Sequence, residues 1–391
     1  MGIFSKSKVP CPYCYNELDL NRVVFRCTGQ TQAGRQACTP RPDTFRMQFL
    51  GDGTPTMPIV QAGGAAVTGR DSATCADCGA RTAVRCCPSC HSMLPHSITA
   101  ESPLFGLVGV RASGKTVMLS ALHSELTKTV ARRFDAAIDN PGGGTGLAKV
   151  LQDLNAEMAH EGGLLPQQTQ VGQKSAPAVY EWRYAQNGRT RSTIFSFYDN
   201  AGEDFASEDR ALSIHYLGQV SGVILLLDPF SFPENAARAA DRGVSLSASD
   251  GPEAVLGSLT AVLRMSHSVK QNKKIPVPVA VVVSKIDAFF DEIPHNHPLR
   301  QPASKLPLFD EAESKSLHDH MAALIARWGG DGLLRSLEQN YDTYRVFGAS
   351  ALGAEPDYRA GVINARGRLP HRVAEPFLWL LAERGFLRKQ S

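Results

Sequence analysis

Beyond Cys90 the 391-residue chain contains no cysteine, so no disulfide can staple its larger part. No run approaches the roughly 18 apolar residues of a membrane-spanning helix, which argues against a helical span. Charge of one sign is not in excess either. The 41 Lys/Arg face 38 Asp/Glu, a net +3, too even a balance for general attraction to nucleic acid or an anionic membrane. The opening residues Met-Gly-Ile-Phe-Ser-Lys-Ser-Lys lack the apolar core of a signal peptide. Lys6 also occupies the Ser/Thr position of the myristoylation pattern. These absences leave a cytoplasmic protein as the expectation, long enough for two or three domains.

What is present divides the chain near Ala100. All nine cysteines precede it, in three C-x-x-C knuckles (Cys11–Cys14, Cys75–Cys78, Cys87–Cys90) and the single Cys27, Cys38 and Cys86. In a cytoplasmic chain such clustering points to metal before disulfide. Each knuckle offers two thiolates to a tetrahedral zinc, so eight cysteines make two structural Cys₄ sites and leave Cys86 spare. The simplest pairing is sequential: Cys11, Cys14, Cys27 and Cys38 on one Zn²⁺, and Cys75, Cys78, Cys87 and Cys90 on the other. An interleaved pairing of the Cys11 and Cys87 knuckles satisfies the spacing too. Closed sites of this kind leave no position for a reacting water, so no catalysis is assigned to them.

Residues 1–100 carry ten Lys/Arg against six Asp/Glu. Two Zn(Cys)₄ centres, each of net charge about −2, would cancel that excess. No basic stripe interleaves with aromatics, so a module that recruits other proteins is favoured over a nucleic-acid reader. The stretch from Gly51 to Gly69, rich in Gly, Ala, Pro and Thr, reads as a flexible connection between its halves.

After the cysteines comes Gly109-Val-Arg111-Ala112-Ser113-Gly114-Lys115-Thr116, a complete G-x-x-x-x-G-K-[ST] loop. The apolar run Leu104–Val108 feeds it, and helix-forming residues Val117–Leu126 follow. A strand, a glycine loop and a helix start direct successive backbone N–H groups and the positive end of a helix dipole at one spot, where a triphosphate fits. Lys115 would reach the β and γ phosphates, and the Thr116 hydroxyl would sit on Mg²⁺.

Further along, Ala178–Phe197 reads as two strands around Asn187-Gly188, a hairpin signal. The second strand runs into Asp199-Asn200-Ala201-Gly202-Glu203. Val220–Leu227 and Val277–Val283 are β-branched, apolar runs suited to buried parallel strands. The latter leads into Ser284-Lys285-Ile286-Asp287, similar to the [NT]-K-x-D guanine motif. There the Asp287 carboxylate accepts from the N1–H and N2–H₂ edge of guanine, and Lys285 lies along the base plane. Ser284 replaces the usual Asn or Thr, but its hydroxyl can still tie this loop to the phosphate loop. A last strand, Tyr344–Phe347, delivers Ala349-Ser350-Ala351-Leu352, similar to the Ser-Ala-Lys loop whose backbone caps guanine O6.

In this order the motifs resemble Ras-like GTPases of the TRAFAC class. More narrowly, Cys-Pro-Tyr-Cys-Tyr-Asn-Glu-Leu, Cys-Pro-Ser-Cys-His-Ser-Met-Leu-Pro, Val-Gly-Val-Arg-Ala-Ser-Gly-Lys-Thr-Val and Glu375-Pro-Phe-Leu-Trp-Leu-Leu381 resemble the bacterial double-GTPase family, second type. The resemblance implies an α/β Ras-like P-loop GTPase fold over residues 101–391, a mostly parallel central sheet with one antiparallel hairpin strand. Insertions fall around 229–274 and 290–318, and a small two-zinc ribbon module occupies residues 1–100.

It also implies a Mg²⁺-dependent GTP/GDP switch in a multi-protein conflict or defence-type system, with other proteins, a second GTPase among them, as partners. Asp199 would hold Mg²⁺ through water, and the Gly202 N–H would meet the γ-phosphate. Thr169, in the irregular stretch ahead of the hairpin, is the preferred switch threonine, with Thr145 its rival. Glu203 stands where Ras-type enzymes carry a water-orienting glutamine, which suggests slow intrinsic hydrolysis. Arg111 either points away from the phosphates or touches them in cis. Two other readings stay open: an adaptor that senses GTP with little turnover, and an ATP-driven nucleic-acid enzyme with a zinc ribbon. His295 and His297 are read as solvated, and Val373–Leu387 as a helix packed on the sheet.

Overall fold

The computed structural model describes residues 8–61, 71–98, 102–109, 112–141, 147–158, 163–166, 177–186, 189–199, 216–244, 251–364 and 369–390. Two compact units divide the chain. The first holds Met1–Pro103, Asp139–Ala148 and Gln173–Ser196, and the second holds Leu104–Ile138, Lys149–Gly172 and Phe197–Ser391.

In the first unit the strands are short: β1 (Lys8–Pro10), β2 (Glu17–Asp19), β3 (Val24–Arg26), β4 (Ile59–Val60), β5 (Ala73–Thr74), β6 (Arg81–Thr82) and β7 (Arg85–Cys86). β1 pairs antiparallel with β2, β5 with β6, and β3 sits between β4 and β7. Helix α1 (Thr44–Leu50) is capped at its N-terminus by the Asp43 carboxylate, which accepts from the N–H groups of Phe45 and Arg46. Longer strands of a hairpin, β10 (Ala178–Gln186) and β11 (Arg189–Asp199), supply Val179 and Ile194 to the same buried cluster as Val9, Leu18, Cys11, Cys90 and Ile98. The Tyr15 and Ser196 hydroxyls lie 3.3 Å apart.

The second unit is organised by β8 (Leu104–Gly109), β12 (Gly222–Leu227), β13 (Val279–Val283) and β14 (Tyr344–Gly348). They run parallel, with Val223 opposite Gly106 and Val279, and Val281 opposite Val346. β8, β12 and β13 are buried along their whole length. That is the signature of parallel strands covered on both faces, and it explains their unbroken apolar composition. With the hairpin and β9 (Ala136–Asp139) they form a seven-stranded mixed sheet of order β14-β13-β12-β8-β11-β10-β9. Helix α2 (Lys115–Glu125) follows the phosphate loop directly and continues as a π-helical turn over Leu126–Val130. Residues 229–274 contain two short 3₁₀ turns, the helix Ala236–Asp241 and the amphipathic helix Pro252–Ser266. His297 is held locally: its Nδ1 accepts from the Leu299 N–H at 3.2 Å, and its ring lies 4.6 Å from that of His320.

The C-terminal helix Glu375–Glu383 buries nearly every side chain on the sheet, as its apolar spacing predicts. Phe377 meets Phe105 edge-on at 5.4 Å and Phe197 at 5.1 Å. A buried ionic hub fixes the entrance to this helix. Arg372 bonds both Glu375 oxygens at 2.7 and 2.8 Å, Glu313 at 2.8 Å, and the carbonyls of Gln301 and Pro302 at 3.0 and 3.1 Å. Burial raises the Glu375 carboxyl above its usual range, against the pull of Arg372. Arg372→Met therefore strands a buried carboxylate and is expected to cost about 3–5 kcal/mol in urea unfolding. Adding Glu375→Leu should recover part of that loss. An R372M protein as stable as the wild type would show the hub to be energetically neutral.

Candidate functional site

The phosphate loop leaves β8 at a position only glycine fits. A Cβ on Gly109 would lie 2.7 Å from the Leu226 carbonyl oxygen and 2.8 Å from Ser113 Oγ. The backbone then turns through left-handed conformations at Ala112 (φ +59°) and Gly114 (φ +87°), and Gly114 starts α2 without a side-chain cap. The first N–H groups of α2 are thus left for a ligand. Lys115 folds back, its ammonium donating to the Gly109 carbonyl at 2.7 Å. Ser113 Oγ is buried and has no hydrogen-bond partner among the described residues.

The base loop is bonded directly to this turn. Ser284 Oγ lies 2.9 Å from the Ser113 carbonyl and 3.0 Å from that of Leu227, acceptors between which its one proton is shared. Lys285 adopts φ +50° and donates to the Ala112 carbonyl at 2.9 Å and to Asp228 Oδ2 at 2.5 Å. Asp228 sits one residue beyond β12, where its other oxygen accepts from the Phe230 N–H at 3.0 Å. Asp228 stands outside the sequence motifs. Its signal was an acid placed directly after an apolar strand and before Pro229, a position that caps a turn and faces the end of the next parallel strand.

Asp287 is 9% exposed, and burial raises its carboxyl above the ordinary value. A hydrogen bond from Ser350 opposes that shift. The Ser350 oxygen also accepts from the N–H groups of Leu352 and Gly353 at 3.2 and 2.7 Å. The Ala349 carbonyl accepts from Ile286 N–H at 3.2 Å, so the loop carrying Ser350 and Ala351 is joined to the base loop. Asp287 opens onto a cleft of about 890 Å³ that Phe290, Glu355 and Tyr358 also line. A buried carboxylate lining a cleft fits a ligand edge offering two N–H donors.

Arg111, Thr145, Thr169, Gly202 and Glu203 lie outside the described residues, as do the Asn187-Gly188 turn and the side chain of Asp199, whose backbone ends β11. Thr116 stands in the first turn of α2, beside Lys115.

The cysteines overturn the sequential pairing. Cys11, Cys14, Cys87 and Cys90 form one set and Cys27, Cys38, Cys75 and Cys78 the other, the sulfurs of each set lying within 4.8 Å of one another. The cause is strand pairing. β3 and β7 align Val24 with Cys86, which carries the Cys87 knuckle to the hairpin that holds Cys11. Individual Sγ separations are 3.8 Å for Cys11–Cys90, 3.9 Å for Cys14–Cys87, 3.4 Å for Cys27–Cys78 and 3.8 Å for Cys38–Cys75. A tetrahedron of four sulfurs about 2.3 Å from zinc has edges of about 3.8 Å, so both sets fit that ion.

All three knuckles share one backbone design. The residue after the second cysteine is left-handed (Tyr15, Gly79, His91), and its N–H donates to the carbonyl of the first. Cys86 belongs to neither set, and burial pushes its thiol up to about 12.

No helix among the described residues is long and apolar enough to cross a membrane. A relative from Mycolicibacterium smegmatis, described as a proposed ESX-1 scaffolding and assembly protein, SaeC, is 26% identical over 332 residues, covering 78% of this chain and 81% of its own. Among solved structures, the GTP-bound Ski7 GTPase-like domain of S. cerevisiae aligns at 11% identity and TM-score 0.32, over 75% of this chain and 53% of that one. The GDP- and Mg-bound signal recognition particle receptor SRb of Chaetomium thermophilum aligns at 16% identity and TM-score 0.24, over 72% and 99%. The chain thus spans about half of the Ski7 domain. A sequence model of the Double-GTPase 2 family matches residues 104–329, from the strand that feeds the phosphate loop to the end of the helix Glu311–Arg327 and just beyond. With more than half of its residues so matched, the chain belongs to the Double-GTPase 2 family.

Proposed function

We propose that the chain is a Mg²⁺-dependent guanine-nucleotide switch that hydrolyses GTP, and that its cysteine tetrads hold two structural zinc ions in a partner-recruiting module. One observation carries the nucleotide reading: the phosphate loop and the base loop are bonded through Ser284 to Ser113 and Lys285 to Ala112. A ligand spanning both needs a polyphosphate at one end and a base with a double donor edge at the other.

In this reading Gly109, Arg111, Ala112, Ser113 and Gly114 wrap the phosphates with backbone N–H groups, and Lys115 leaves the Gly109 carbonyl for the β and γ oxygens. Thr116, Asp199 and Thr169 would hold Mg²⁺, which would supply neutralising charge for phosphoryl transfer. Gly202 contacts the γ-phosphate, and Glu203 accepts a hydrogen bond from the attacking water. Ser284, Lys285, Asp287, Ser350 and Ala351 hold the base.

Lys115→Ala is expected to weaken GTP binding roughly 10²-fold, the worth of a charge-assisted bond of about 3 kcal/mol. Titration calorimetry checks this, and unchanged GTP affinity would place the triphosphate elsewhere. Membership of the Double-GTPase 2 family, together with a relative described as a scaffolding and assembly protein, supports a place in a multi-protein bacterial signalling assembly. Glu203 favours a second reading, an adaptor that holds GTP without turnover. Single-turnover hydrolysis, with and without partner proteins, separates the two.

A further inference from the structure

The loop beyond Ser350 belongs to no motif, yet it is tightly braced. Arg242, at the end of the helix Ala236–Asp241, grips Glu355 with two guanidinium nitrogens. Asp357 accepts from the N–H groups of Arg359 and Ala360, both at 2.9 Å. The Arg359 guanidinium donates to the Asp241 carbonyl at 2.8 Å, and its stem lies about where a Cβ on Gly243 would reach, 3.0 Å away. These contacts fix the residue between them, Tyr358.

Tyr358 lines the same cleft as Asp287. Its ring meets Phe230 edge-on at 5.6 Å, and the Lys285 ammonium lies 5.7 Å from its centroid. The cleft's other aromatic, Phe290, holds a cation closer: the Arg300 guanidinium stands 4.8 Å from its ring, and His371 meets that ring edge-on at 5.5 Å. The Tyr358 hydroxyl is buried and has no hydrogen-bond partner among the described residues. Burial, followed by the nearby carboxylates Asp287, Glu355 and Asp228, raises its pKa and keeps it a neutral phenol.

We propose that Tyr358 is the stacking wall of the nucleobase slot, positioned by the Arg242–Glu355 pair. This inference rests on Asp287 being the base-recognising carboxylate. An aromatic face adds affinity for any base, whereas the Asp287 carboxylate adds the preference for guanine. The helix Ala236–Asp241, inserted after β12, acts in this scheme as a brace for base binding.

The test is calorimetric titration of the full chain with GDP, ADP and inorganic tripolyphosphate. Tyr358→Ala is expected to weaken GDP binding roughly tenfold, the order of one lost base–aromatic stack, and Tyr358→Phe to rescue it. Arg242→Ala should give a smaller loss, about threefold. Tripolyphosphate has no base to stack, so it should bind Tyr358→Ala as it binds the wild type. Tyr358→Ala binding GDP within about twofold of the wild type would overturn the proposal. So would an equal loss for tripolyphosphate, which would mark a general disturbance of the fold. A wild-type protein that binds ADP as tightly as GDP would remove the guanine reading instead, and the stacking comparison would then be made with ADP.

Discussion

Replacing both cysteines of the first knuckle, Cys11→Ser with Cys14→Ser, is expected to lower zinc from two ions per chain to one. Adding Cys87→Ser and Cys90→Ser should then remove no more, because all four residues belong to one set. A sequential pairing predicts the opposite, with the quadruple variant losing both ions. Elemental analysis of the purified protein distinguishes one residual zinc from none. The effect on folding should be large, since structural zinc binding is worth on the order of 10–16 kcal/mol in small domains with little core of their own. It should also reach the hairpin β10–β11, because Val179 and Ile194 pack in the same cluster as Cys11 and Cys90. Loss of hydrogen-exchange protection at Val179 in the double variant, with β13 unaffected, is the accompanying sign.

The knuckles were legible one by one, but their partnership was not. Two cysteines three residues apart can offer both thiolates to one ion. Which knuckles meet is decided by β3 and β7, strands of three and two residues that begin some sixty positions apart. No periodicity announces strands so short. The parallel strands of the second unit were the reverse case, since β8, β12 and β13 are buried on both faces and their composition states this directly. The segments Gly109–Thr116 and Ser284–Asp287 could be located because each follows such a strand. Asp228 and Tyr358 escaped for a common reason. Each is placed by neighbours distant in sequence, Asp228 by Lys285 and Tyr358 by a loop that Arg242 braces.

The base loop carries the second large expectation. Asp287 is buried and lines the cleft, and the hydrogen bond it receives from Ser350 leaves acceptor capacity toward the ligand. Guanine offers two adjacent donors to that carboxylate, and adenine offers no matching pair. Xanthine presents one donor beside a carbonyl oxygen, which a carboxylate repels and an amide can match. Asp287→Asn should therefore exchange guanine preference for xanthine preference. The ratio of GDP to XDP affinity is expected to fall by roughly 10⁴, the scale on which a buried polar group rejects a ligand that leaves it unpaired. Competitive displacement of a fluorescent GDP by GDP, XDP and ADP measures that ratio in wild type and variant. Because the change conserves shape, the hydrogen bonds of Ser284 to Ser113 and of Lys285 to Ala112 should persist, and thermal unfolding should stay near that of the wild type. A variant that loses GDP and XDP alike, with its fold intact, would mean that Asp287 supports the loop without touching the base. An unaltered GDP-to-XDP ratio would move base recognition away from this cleft altogether.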